Sequence, residues 1–330
     1  PGEQKFGVQA FQGLLQLLRT HADDWISGER LSRELGVTRS AVWKHVRKLR
    51  RDGYEIASAP RKGYRMTRIS PLLLPEEIQN GLRTRSFGQG KIVYLETTDS
   101  TNTRARELAN QGSPEGTLVV AEQQTAGRGR KGRVWHSPKR DGIYISLILR
   151  PKISPLEAPK ITLLAGIAAA EAILSLADLD VHIKWPNDIL IGKRKVAGVL
   201  TEIASDLDEV SHVVTGLGMN GNVREFPPEL RDVGTSLYLE TGRPVDRASL
   251  VRSFLERYEH FYAIFLQGRT QDILERWKTL SRTLGSRIAV EISGRRITGV
   301  ARDIERDGSL ILETPDGKSH RVFSGDLETV

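Results

Sequence analysis

The sequence predicts a multidomain α+β protein: an N-terminal winged helix-turn-helix, a central α+β body and a small C-terminal β-barrel. Three observations carry this expectation. Short amphipathic segments ending in a basic-tipped hairpin fill the first 68 residues, strand-like and helix-like segments alternate from about 91 to 281, and short strands split by glycine turns fill the tail. At 330 residues the chain has room for two or three domains and at least one substantial core. The expected boundaries are 1–68, 70–281 and 284–330, with Ile69-Ser70-Pro71 as the first linker.

Phe11, Leu14, Leu15 and Leu18 share one face of a first helix. A second short helix over 27–35 stops at Gly36, and the turn Gly36-Val37-Thr38 leads into a third helix, Arg39–Arg51, with Thr38 as its N-cap. Val42, Val46 and Leu49 recur at i, i+4, i+7 and face the core. Ser40, Lys44, Arg47, Lys48 and Arg51 fall on the other side, where a recognition helix meets the major groove. Tyr54-Glu55-Ile56 and Tyr64-Arg65-Met66 flank Ala59-Pro60-Arg61-Lys62-Gly63, a hairpin suited to be a wing. Residues 1–68 hold 14 Lys and Arg against 7 Asp and Glu, a surplus of seven in a chain whose net charge is +8. Such polarisation points to a polyanion, with DNA the expected partner and Arg39, Ser40, Lys44, Arg47, Arg61 and Lys62 the expected contacts. The alternative is a protein-interaction module with a solvated basic face.

In the body, strands are expected at 91–96, Ile143–Leu149, 181–185, 197–203 and 213–218. Helices are expected at 102–110, 160–177, 249–267 and 270–281. Ser154-Pro155-Leu156-Glu157 fits a capping box, with Pro159 as the alternative helix start. This mixture implies helices packed against one sheet. In the tail, strands at 288–292, 296–304, 309–313 and 320–323 are separated by Ser293-Gly294, Asp307-Gly308 and Asp316-Gly317, the turn pairs of a small barrel.

Composition narrows the function classes. Hydrophobic content of 38% and charged content of 27% are ordinary for a globular protein. No uninterrupted apolar stretch is long enough to span a membrane; 161–177 comes closest, and Glu171 and its shortness favour a buried helix. The opening Pro1-Gly2-Glu3-Gln4-Lys5 lacks the apolar segment of a signal peptide and is expected to be a processed end. With no cysteine there are no disulfides, thiol nucleophiles or thiolate metal sites. Seven histidines lack metal-site spacing, so no built-in metal is expected. A cytoplasmic location is the simplest expectation.

The most informative segment is Gly127-Arg128-Gly129-Arg130-Lys131-Gly132-Arg133, where three glycines and four cations form a loop suited to close over an anion. It mimics the dinucleotide fingerprint G-x-G-x-x-G, yet Val134-Trp135-His136-Ser137-Pro138 follows where a helix should open. It also mimics the phosphate loop, but Arg133 and Val134 stand where Lys and Ser/Thr are required. The bland alternative is a solvated basic loop.

Other motifs accompany it: Asp99-Ser100-Thr101-Asn102, Val119-Val120-Ala121-Glu122-Gln123-Gln124, Lys184-Trp185-Pro186-Asn187-Asp188, Lys193-Arg194-Lys195-Val196-Ala197-Gly198 and Gly216-Leu217-Gly218-Met219-Asn220. At these residues, in this order, the chain resembles the biotin protein ligases that double as biotin-operon repressors. The resemblance runs from the N-terminal module to the last residue. It implies a central α+β domain of the biotin/lipoate-ligase type and an SH3-like C-terminal domain. It also implies formation of biotinyl-5′-AMP from biotin and ATP with Mg²⁺, and biotin transfer to a lysine of a biotin carboxyl carrier protein, the acetyl-CoA carboxylase subunit.

Matched motif by motif, the resemblance gives Arg128, Arg130 and Lys195 catalytic roles. Ser100, Thr101, Asn102, Gln124, Arg128, Gly129, Arg130, Lys195 and Gly198 would bind biotin. The plain structural role of the first four is helix N-capping at 102–110, which Ser100 or Thr101 could perform at the same time. Trp135, Asn187, Asp188 and Asn220 are the nucleotide candidates; Trp135 is alternatively a core residue and 185–188 a tight turn. The partners implied are the carrier protein, operator DNA and a second copy in a ligand-promoted homodimer, with no membrane. Two alternatives remain open: a non-catalytic biotin-sensing transcription factor, and a lipoate-type acyl-adenylating ligase.

Overall fold

The computed structural model describes residues 2–205, 209–292, 295–323 and 325–329. The expected turn at Ser293-Gly294 lies outside them. The chain divides into two compact units, Pro1–Glu77 and Ile78–Val330.

In the first unit, helices α1 (Gly2–Thr20), α2 (Gly28–Leu35) and α3 (Arg39–Arg51) precede the antiparallel hairpin of β1 (Glu55–Ala59) and β2 (Gly63–Arg68). The apolar periodicity explains the packing, since Leu14, Leu15, Leu18, Leu31, Val42, Val46 and Leu49 are all buried. Caps fix the turn between the second and third helices. Gly36 closes α2 in the left-handed region at φ 62°, and the Thr38 hydroxyl accepts from the Ala41 amide. The hairpin returns to the helices through the paired backbones of Ile26 and Tyr64. Gly63, at φ 98°, lies so close to the backbone of Ile26 and Ser27 that no Cβ fits there. α4 (Pro75–Gln79) straddles the unit boundary.

The second unit is built on a seven-stranded sheet among the described residues, ordered β3-β4-β5-β9-β8-β7-β6. Its strands are β3 (Ile92–Leu95), β4 (Leu118–Ala121), β5 (Ile143–Leu149), β6 (Val181–Lys184), β7 (Asp188–Ile191), β8 (Arg194–Ser205) and β9 (Val210–Met219). Only the β3–β4 pair is parallel, joined through α5 (Thr101–Asn110). α6 (Pro159–Leu174) is alanine-rich and buried nearly all round, so it packs between the sheet and α8 (Arg247–Leu266). Its start settles at Pro159; Ser154 caps no amide and opens only a short 3₁₀ turn. α7 (Leu237–Thr241) and α9 (Thr270–Leu280) complete the helices. No helix among the described residues is long and apolar enough to cross a membrane.

The tail forms a five-stranded antiparallel sheet among the described residues, ordered β13-β12-β11-β10-β14. Its strands are β10 (Arg287–Ile292), β11 (Arg295–Ile304), β12 (Leu310–Glu313), β13 (Ser319–Val322) and β14 (Glu328–Thr329). It belongs to the same compact unit as the central sheet. The Trp185 indole N–H donates to the Gly308 carbonyl at 3.1 Å, and Lys278 pairs with Asp303 at 2.8 Å.

Candidate active site

Strand register lays the floor. Ser146, Gly216 and Leu200 stand side by side across β5, β9 and β8; two residues along, Tyr144, Gly218 and Gly198 form a second row that Asp188 of β7 extends. Residues two apart in a strand share a face, so Gly216 and Gly218 open the same side of the sheet while Leu217 is buried on the other. The missing side chains make seats. Asn102 rests on Gly216, and the Trp135 indole lies over Gly218, where a Cβ would come within 2.6 Å of the ring.

Over this floor lies a pocket of about 390 Å³. Its lining includes every expected small-ligand residue: Ser100, Thr101, Asn102, Gln124, Arg128, Gly129, Arg130, Trp135, Asn187, Asp188, Lys195, Gly198 and Asn220. The two ends of the pocket differ in chemistry. At one end the lining groups are neutral, hydrogen-bonded to one another and, through Asn102, to the Glu202 carboxylate behind them. The Gln124 carbonyl oxygen accepts from the Thr101 amide (2.8 Å) and hydroxyl (3.1 Å), while its amide nitrogen donates to Ser137. The Ser146 hydroxyl reaches both the Thr101 hydroxyl at 2.8 Å and the Asn102 carbonyl at 2.6 Å. Asn102 donates to the Leu200 carbonyl at 3.2 Å and to Glu202 at 2.9 Å.

This network corrects the capping alternative. Ser100 is the N-cap of α5 by backbone geometry alone, with no side-chain cap bond, and Thr101 turns its hydroxyl to Gln124.

The other end is cationic. The glycine loop folds back as a tight hairpin: Gly127 accepts from the Trp135 amide at 2.8 Å, the Gly129 amide donates to Arg133 at 2.7 Å, and Lys131 and Gly132 turn the tip at φ 54° and 74°. Gly127 passes so close to the Trp135 carbonyl that a Cβ would stand 2.5 Å from it. Arg130 is half-buried and donates to Asn187 Oδ1 at 3.2 Å and to the Gly325 carbonyl at 3.4 Å. Burial lowers its pKa from the ordinary arginine value, against the pull of Asp326 and Asp188. It still carries its charge. Asp326, just before β14, pairs with Arg133 and Lys131 and joins the pocket wall.

Lys195 is held on several sides. Its backbone pairs with Val233 and Thr235, its Nζ lies 2.6 Å from Asp188 Oδ1, and the ammonium sits 5.3 Å from the centre of the Trp135 ring. Asn187 donates to the Val199 carbonyl and Asn220 to the Thr235 carbonyl, so each amide also secures a turn. The Trp135 indole N–H is buried against Gly218 without an acceptor among the described residues.

Sequence reasoning missed Ser146, Ser137, Glu202 and Asp326. A serine inside the apolar run Ile143–Leu149 is the signal for the first; the others meet the site only through tertiary contacts. Among the described residues no group of three or more His, Cys, Asp or Glu is placed to hold a metal.

On the first unit the expected DNA contacts Arg39, Ser40, Lys44 and Arg47 are exposed along α3, with Arg61 and Lys62 exposed at the hairpin tip. The Arg47 guanidinium stacks on the exposed Trp43 ring at 4.8 Å. Lys48 departs from that face and lies over Phe11, 4.0 Å from the ring centre.

Three family models match the chain: an HTH domain over residues 12–65, the biotin/lipoate A/B protein ligase family over 94–220, and a biotin protein ligase C-terminal domain over 283–328. The chain is 40% identical to the bifunctional ligase/repressor BirA of Bacillus subtilis (strain 168), over 96% of its own length and 97% of the relative's. It is 31% identical to the biotin–[acetyl-CoA-carboxylase] ligase of Mycobacterium tuberculosis, covering 79% of this chain and 97% of that one. A solved biotin protein ligase from Aquifex aeolicus, in complex with biotin and ATP, superposes with a TM-score of 0.64 at 29% identity, over 73% of this chain and 100% of that one. Domain order, pocket and sequence agree: the chain belongs to the biotin protein ligases of the bifunctional ligase/repressor family.

Proposed function

We propose that this protein activates biotin with ATP, transfers it to an acceptor lysine, and uses its N-terminal unit to repress transcription. The observation that carries the enzymatic reading is the polarity of one pocket, neutral amides and hydroxyls at one end and convergent cations at the other. Thr101, Asn102 and Gln124, with Ser100 beside them, offer the mix of donors and acceptors that a ureido ring requires. Arg128, Arg130 and Lys195 meet the carboxylate and the α-phosphate.

A carboxylate and a triphosphate repel each other, so the first task is charge neutralisation at fixed geometry. A biotin carboxylate oxygen attacks the α-phosphorus and pyrophosphate leaves, giving biotinyl-5′-AMP. The acceptor amine then attacks the carbonyl carbon, the bond to the phosphate oxygen breaks, AMP leaves and the amine sheds a proton. No side-chain nucleophile is needed, in keeping with a chain that has no cysteine. Because the anhydride hydrolyses, the loop 127–135 excludes water. Trp135 offers an apolar face to the nucleotide.

Mg²⁺ would arrive on the phosphates and offset their charge. Asn187 and Asp188 suit one or two of its positions, the rest being waters and phosphate oxygens. Gly198 leaves room beside Lys195 and Trp135.

Mass spectrometry tests the reading: the protein is incubated with MgATP, a biotin carboxyl carrier domain, and biotin or lipoate. A biotin-sized mass gain on the acceptor is expected. A gain with lipoate alone assigns a lipoate-type ligase, and biotin binding without transfer assigns a sensor.

The floor supplies a sharper check. In Gly216→Ala the new methyl overlaps the Asn102 side chain. The biotin KM is expected to rise roughly tenfold or more, with the ATP KM nearly unchanged.

For repression, α3 would enter the major groove and the hairpin tip would meet phosphates. In fluorescence anisotropy, Arg47→Ala is expected to weaken operator binding about tenfold and relax its sequence preference. Lys62→Ala is expected to lower the salt slope by about one. Two such units on a two-fold operator require a dimer, which bound adenylate would promote by ordering loops on a shared face. Acceptor protein would compete by consuming the adenylate. Sedimentation velocity with biotinyl-adenylate is expected to show a dimer; an unchanged monomer refutes this part.

A further inference from the structure

Glu202 does not line the pocket, yet it touches two groups that do, the Asn102 amide and the Arg128 guanidinium. It stands on β8 with its side chain 21% exposed. Its Oε2 accepts from the Asn102 amide at 2.9 Å and from Arg128 Nη1 at 3.2 Å. Its Oε1 lies 2.9 Å from Arg128 Nη2 and 3.8 Å from Arg106 Nη1. One carboxylate therefore joins the amide of the neutral end to the guanidinium of the glycine loop.

We infer that Glu202 is a positioning residue of the ligase, fixing the Asn102 amide and the Arg128 guanidinium relative to each other before the ligand arrives. This rests on the proposed assignment of Asn102 and Arg128 to biotin.

Three physical points carry it. An asparagine amide can sit either way round, and a partner that only accepts decides the matter. With Glu202 and the Leu200 carbonyl both accepting, the Asn102 nitrogen must face them and its oxygen must face Ser146. Arg128 is a long side chain, 41% exposed, that free rotation would spread over many positions. A two-point contact with a carboxylate fixes the plane of the fork, and the remaining N–H groups stay available to a second carboxylate. Finally, Arg106 and Arg128 together exceed the charge of Glu202, so the loop keeps a net positive face toward an anion.

The alternative is an ordinary exposed ion pair, which contributes little to stability and nothing to ligand affinity. The two readings differ in coupling. Full-length wild type, Glu202→Gln, Arg128→Ala and the double variant are compared by biotin-dependent pyrophosphate release, with biotin and ATP varied in turn and thermal melts alongside. Glu202→Gln is expected to raise the biotin KM roughly tenfold and leave the ATP KM within about twofold. In the Arg128→Ala background the same change is expected to shrink to about threefold, because one of the two groups it positions is gone while Asn102 remains. An unchanged biotin KM in Glu202→Gln overturns the inference, and so does an equal effect in both backgrounds. If Arg128→Ala leaves the biotin KM unchanged, the assignment of Arg128 falls and the inference with it. Should Glu202→Gln fail to fold, Glu202→Asp keeps the charge and shortens the reach by one methylene; its biotin KM must then exceed that of wild type.

Discussion

Replacing Lys195 by alanine is expected to slow adenylate formation about 100- to 1,000-fold, equivalent to roughly 3–4 kcal/mol of lost transition-state stabilisation. The magnitude follows from preorganisation. The Lys195 backbone is pinned on both sides by Val233 and Thr235, and its ammonium is set between Asp188 and the Trp135 ring. A cation held this way needs no reorganisation when charge shifts onto the bridging oxygen, so its removal is felt in the rate. Pyrophosphate release at saturating biotin and ATP is the measurement. The side chain is 34% exposed, so the melting temperature should change little. A loss below about tenfold would mean that Arg128 and Arg130 carry the charge without Lys195.

Arg247→Ala should be strongly destabilising, costing about 3–5 kcal/mol. Arg247 and Glu122 form an ion pair with side chains 3% and 0% exposed, 2.8 Å apart, and the same Arg247 nitrogen donates to the Gly142 carbonyl at 2.9 Å. Deleting the cation leaves a carboxylate in the core just after β4. Urea or thermal unfolding reads the effect, expected as a drop in Tm on the order of 10 °C. Glu122→Leu combined with Arg247→Met should recover much of the loss, since apolar packing replaces a buried pair at little net cost. A loss equal to the sum of the two single changes would refute this account of the pair.

Local signals made part of this legible in the sequence. The third helix followed from Val42, Val46 and Leu49 with Thr38 in front, and the structure places Arg39–Arg51 there. β5 followed from an apolar run interrupted only by Ser146. The residues of the pocket followed from composition at a few short motifs and from the family they resemble. What escaped was set by pairing between distant segments. β7 is only four residues long, and Lys184-Trp185-Pro186-Asn187-Asp188 reads as a turn because strand pairing begins at Asp188. Ser100 carries the residue type of a cap, yet tertiary bonding to Gln124 arranges that corner instead. Glu202 and Asp326 are ordinary surface residues by pattern; only the register of β8 and the docking of the tail sheet make them neighbours of the pocket.

The contact of Asp326 with the glycine loop also has a consequence for how the molecule comes into being. Arg133 and Asp326 are 193 residues apart in the chain, while Thr101 and Gln124 are 23 apart. Closing a long loop is slow compared with local pairing. During synthesis the neutral end can therefore form while the loop still lacks its anchor, and retention of the adenylate should mature later than recognition of the ring.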